Sequence, residues 1–121
     1  MTEITRTEEQ PTPIRRSVPA LGLLRLGFAV FLVTRPGEAR MVGVREAALG
    51  LGTLDACWRG DPTAGWVGGM AIADGGDALA FLVDAVREPH LRRRHLGMAA
   101  FAASGLLAEG FMAVQLRRTG E

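Results

Sequence analysis

Residues 96–116 read LGMAAFAASGLLAEGFMAVQL. The run is long, rich in Ala and Leu, and does not alternate with a period of two, so it reads as a helix and not a strand. Its polar groups are Ser104, Glu109 and Gln115, and they form no continuous stripe. A helix that is apolar all round must be covered by a large core or by lipid. The chain has 121 residues, and a domain of that size buries too limited a fraction of its surface to supply such a core. Lipid is the expected covering.

Three more apolar stretches precede this one. They cover about residues 18–34, 43–58 and 65–86, with the last at about 95–116. Between them stand Arg35-Pro36-Gly37, Arg59-Gly60-Asp61-Pro62 and Arg87-Glu88-Pro89-His90, where Pro and Gly end helices and favour turns. The expected fold is all-α, an integral membrane four-helix bundle of short antiparallel transmembrane helices, multi-pass in the cell membrane. Residues 1–17 mix charges of both signs with Thr and Pro and read as a disordered tail, and 117–121 as a short C-terminal tail. Glu3, Glu8 and Glu9 do not suit the basic start of a signal peptide.

Composition narrows the function classes. All 14 basic residues are Arg and the net charge is +1, so nothing in the balance points to nucleic acid. Cys57 is the only cysteine, which excludes an intramolecular disulfide and leaves it as a small packing residue. Orientation is undetermined: Arg6, Arg15, Arg16, Arg59, Arg117 and Arg118 fall on one side, Arg35, Arg40, Arg87, Arg92, Arg93 and Arg94 on the other. The first two stretches sit at or below the roughly 17–25 residues that a spanning helix needs. The second, 43–58, is the weakest span, with a re-entrant or interfacial helix as its alternative.

The third stretch carries Asp74, Asp77 and Asp84. In a continuous helix Asp77 lies about 60° from Asp74, and Asp84 about 20° from Asp77, so all three share a face. Each Asp at a membrane centre costs on the order of 2.5–3.5 kcal/mol, which directs that face into the bundle. Asp84 is expected near the rim, within i+3 reach of Arg87. Asp74-Gly75-Gly76-Asp77 could instead form a tight turn, but the two halves would be too short to span, and the helix is preferred. Gly43, Ala47 and Gly50, like Gly69, Ala73 and Gly76, form small-residue seams for close helix packing.

Within the spans Arg25 and Arg45 face Glu46, Asp55, Asp74, Asp77, Asp84 and Glu109. Two cations against six acids require protons, exposure, a cation or a ligand to restore balance. Glu46 and Asp55 lie on opposite helix faces, so Asp55 is assigned to the far interface. The candidate binding residues are therefore Arg25, Arg45, Glu46, Asp74, Asp77 and Glu109, with Asp74, Asp77 and Glu46 as candidate catalytic groups. No cofactor is identified and no metal site is assigned, because Asp-x-x-Asp alone supplies too few acids and His90 and His95 lack a companion ligand pattern. No nucleophile elbow, phosphate loop or dinucleotide fingerprint appears.

With Gly43-x-Arg45-Glu46-x-x-Leu49-Gly50 and Asp74-x-x-Asp77 in place, the chain resembles small actinobacterial four-helix membrane proteins, the domain-of-unknown-function family numbered 4267. The resemblance covers about residues 18–116 and implies a membrane bundle, with no activity or catalytic residue attached. The expected function is handling of a small hydrophobic molecule or lipid in a polar pocket. The alternatives are a structural or accessory membrane protein and a small proton- or cation-coupled transporter. The bilayer is the expected partner, and a homo-oligomer stays open.

Overall fold

The computed structural model describes residues 13–120. Among them four α-helices follow one another: α1 Pro13–Val33, α2 Glu38–Arg59, α3 Ala64–Arg87 and α4 Arg92–Arg118, with a 3-10 turn at Pro89–Leu91. No strand occurs among the described residues.

Each expected helix is present, with ends that differ from the sequence reading. Pro13 opens α1 five residues before the expected start, so residues 13–17 belong to a helix and not to the tail; residues 1–12 lie outside the described residues. Pro tolerates the first turn because its missing N–H would be unsatisfied there anyway. Val18 then falls inside the helix and is buried. α2 begins at Glu38, five residues early, and its 22 residues fall between the 21 of α1 and the 24 of α3. α4 starts at Arg92 and runs through Arg117 and Arg118, which the sequence reading placed in loop and tail.

α2 is stopped by Gly60, whose φ of 72° places it in the left-handed region, with its N–H returned to the carbonyl of Cys57. α3 continues without interruption through Asp74-Gly75-Gly76-Asp77, so the turn reading is set aside.

The helices form two hairpins, α1 with α2 and α3 with α4, and the hairpins meet each other more sparsely. Glycine sets the first hairpin's spacing. A β-carbon on Gly50 would stand 2.9 Å from the Gly22 carbonyl oxygen, and one on Gly43 would stand 2.9 Å from the Val33 nitrogen. The seam expected on α3 is different: Gly76 faces open space and Gly69 meets only Leu49.

The interior holds many small side chains and a few charged ones, with Val18, Val67, Met70 and Leu116 as its large apolar members, while most large apolar side chains lie on the exterior. Ala29, Ala56, Ala71, Ala78, Ala99 and Ala102 are buried. Leu24, Val30, Ile72, Phe101 and Leu107 point outward, Ile72 with 77% of its surface free. Contiguous exposed apolar surface on this scale is foreign to a monomer in water. In lipid, where no hydrophobic drive separates helix from solvent, small residues inside and large ones outside are the expected order.

Three of the helical stretches, Pro13–Val33, Ala64–Arg87 and Pro89–Arg118, are long and apolar enough to cross a membrane; α2 is not among them. Length no longer explains the weakness of α2. Its charges do, since Arg45 and Glu46 stand inside the helix. Yet its outer face carries Met41, Val44, Leu51 and Trp58.

Candidate functional site

Halfway along the bundle the four helices bring their charges together. Arg25 projects from α1 and is 8% exposed. Its guanidinium reaches a carboxylate on each of the other three helices. Nη1 donates to Glu46 of α2, Nη2 donates to Asp74 Oδ2 of α3 at 2.9 Å, and Nε donates to Glu109 Oε1 of α4 at 3.2 Å. A planar fork of five N–H donors suits this task, which a lysine's single ammonium would not perform.

A second arginine extends the network toward the end of the bundle where α2 begins. Arg45 holds Asp77 with two parallel bonds, Nη1 to Oδ1 at 2.9 Å and Nη2 to Oδ2 at 2.6 Å. The same Nη2 reaches Glu46 Oε1 at 3.0 Å. Glu46 therefore bridges the two arginines, one oxygen to each, and is 1% exposed. The Glu109, Arg25 and Glu46 side chains are buried, whereas Asp77 and Arg45 at the other end of the network are 27% and 36% exposed.

Local sequence explains these placements. Val18, Gly22, Arg25 and Ala29 recur at three- and four-residue steps and form the buried line of α1. Gly43, Glu46, Gly50 and Thr53 do the same on α2. In both helices the charged residue is flanked by Gly or Ala, which lets the neighbouring backbone come near enough for a direct ion pair.

All six residues singled out from the sequence as binding candidates thus converge: Arg25, Arg45, Glu46, Asp74, Asp77 and Glu109. The two acids set apart also stay apart. Asp55 is exposed and lies 3.8 Å from Arg59 at the far end of α2, and Asp84 is half-buried beyond the network. The candidate catalytic groups Glu46, Asp74 and Asp77 each accept from an arginine.

Sequence reasoning missed Gly105 on α4. A β-carbon there would overlap Asp74 Oδ2 and approach Asp74 Cγ to 3.0 Å. The signal available was Gly105's position four residues before Glu109, one helical turn away on the same face.

The arrangement differs from an open ligand pocket. Two surface hollows, of about 370 and 160 Å³, lie at the opposite end of the bundle, beside Pro13 and Leu116 and beside Pro19 and Cys57. None of the six network residues lines either of them. Among the described residues no group of three or more His, Cys, Asp or Glu side chains is placed to hold a metal ion. Comparison with protein-family models, with curated proteins and with solved structures finds no match.

Proposed function

We propose that this chain is a multi-pass membrane protein with a structural or accessory role, in which the buried network clamps two helical hairpins together. The observation that carries the reading is the engagement of Arg25 by carboxylates from all three other helices. An arginine meant to hold a lipid headgroup or anionic substrate would keep donors free for it. Here the chain's own acids take them.

Membrane insertion is supported by the three long apolar helices and by the outward display of Leu, Ile, Phe and Val. α2 is carried across by its partners, because its interior charges are neutralised within the bundle and its outer face is apolar. Breaking a buried ion pair from one side leaves the other partner uncompensated, at a cost of about 3–5 kcal/mol. The network is accordingly a strong determinant of which hairpin arrangement survives.

The test is the full chain in lipid nanodiscs, comparing wild type with Arg25→Leu for protease resistance and thermal unfolding. The clamp reading expects Arg25→Leu to lose the compact state. It also expects wild type to gain no stability from anionic over zwitterionic lipid. An Arg25→Leu protein as stable as wild type sinks the clamp. A large gain from anionic lipid that depends on Arg25 returns the site to ligand binding.

A further inference from the structure

The network sets four carboxyl groups against two guanidinium groups. We propose that Asp74 and Glu109 form a proton-binding site, with one proton held between their carboxyl groups beside Arg25. The inference does not require that the network's task be to clamp the hairpins.

Arg25 of α1 is the charged group that touches both members of this pair; Glu46 of α2 lies on its far side, and Arg45 and Asp77 follow one and two contacts further along the network. Glu46 is committed to both arginines, and both oxygens of Asp77 are committed to Arg45. Those two acids balance the two arginines. Asp74 and Glu109 are the surplus.

The geometry singles out the same pair. Asp74 Oδ2 and Glu109 Oε1 both accept from Nη2 of Arg25, so two like charges converge on one donor. Such carboxylates repel unless a proton lies between them. Glu109 Oε2 is buried and has no hydrogen-bond partner, while its side chain is 95% covered. An ionised carboxylate pays the full desolvation cost of such an orphan oxygen. A protonated one has a hydrogen to donate. Gly105 completes the site by leaving room for the Asp74 carboxylate against α4, one turn from Glu109.

A proton fits this place better than an alkali cation, because the Arg25 guanidinium sits against both carboxylates and repels a second fixed charge. The proton comes from water and returns to it, and no other bond forms or breaks. The partly exposed end at Arg45 and Asp77 is the nearest wet part of the network.

The experiment is infrared spectroscopy of the full chain in nanodiscs across a pH series. One carbonyl absorption from a protonated carboxyl group is expected at neutral pH, fading as the pH rises. Exchange of sodium for potassium or choline should leave it unchanged. It should be lost in Glu109→Gln and in Asp74→Asn and kept in Asp84→Asn. Labelling of glutamate or aspartate side-chain carboxyls with carbon-13 reads the wild-type chain directly, so the result does not depend on a variant folding. Absence of the band at neutral pH overturns the proposal. So does a band that moves with neither label, one that survives in both network variants, or one abolished by sodium.

Discussion

Gly105 and Asp74 share one volume: the carboxylate of Asp74 on α3 occupies the space where any other residue at position 105 of α4 would place its β-carbon. The two helices can therefore carry a charged group between them without being pushed apart. Gly105→Ala is expected to destabilise the protein by about 1–3 kcal/mol, the usual cost of overfilling a packed site. Asp74→Ala should remove most of that penalty, and a double-mutant cycle by denaturant titration in micelles measures the coupling. Additive effects would show that the two positions do not compete for space.

Arg25 is the hub, and the chemistry of its head group matters as much as its charge. Arg25→Leu should cost about 3–5 kcal/mol, because three carboxylates then lose their shared cation. Arg25→Lys should recover only part of this, since one ammonium cannot meet carboxylates arriving from three directions. Thermal unfolding of both variants in the same detergent gives the ranking.

The Arg45–Asp77 pair is the wetter end of the network and should behave differently. Its side chains are 36% and 27% exposed, so solvent screens their attraction. Arg45→Gln with Asp77→Asn is expected to show a coupling on the order of 1 kcal/mol, well below that of Arg25 with Glu109. Raising the salt concentration should reduce the first coupling more than the second.

Two glycines that look alike in the sequence should respond in opposite directions. Gly50→Ala forces a β-carbon to 2.9 Å from the Gly22 carbonyl, so it should loosen α1 from α2. Gly76→Ala meets nothing within 4 Å and should stabilise α3 by about 1 kcal/mol through helix propensity. Unfolding midpoints of the two variants decide the matter.

The hairpin arrangement sets a topology that labelling can read. In a Cys57→Ala background, Arg35→Cys and His90→Cys should react with an impermeant maleimide from one side of sealed vesicles. Asp61→Cys and Thr119→Cys should react only from the other; all four positions are exposed. Labelling of all four from the same side would exclude four crossings.

The sequence was informative wherever a physical constraint was local. The Pro and Gly clusters marked the three connections, and the absence of a wet face in residues 96–116 marked a helix long and apolar enough to cross a membrane. The shared face of Asp74 and Asp77, with Arg25, Arg45, Glu46 and Glu109 as the other charged interior groups, identified the members of the network. Helix ends were less legible. Residues 13–17 and 38–42 hold no long apolar run and bury no side chain, yet they form the first turns of α1 and α2. Pairing was not legible at all. Periodicity says which face a carboxylate occupies but not that Glu46 would bridge two arginines, nor that Gly105 would make room for Asp74.

The division of charge between the hairpins gives the order of synthesis a meaning. Both arginines belong to the first hairpin, while three of the four acids they meet belong to the second. A ribosome completes α1 and α2 before Asp74, Asp77 and Glu109 emerge. On the proposed membrane reading, the cationic half is then already in place as a template when the acidic half, poorly suited to enter lipid alone, arrives to dock against it. A chain permuted to deliver the second hairpin first would have to hold three unmatched acids in the bilayer while waiting for their counter-ions.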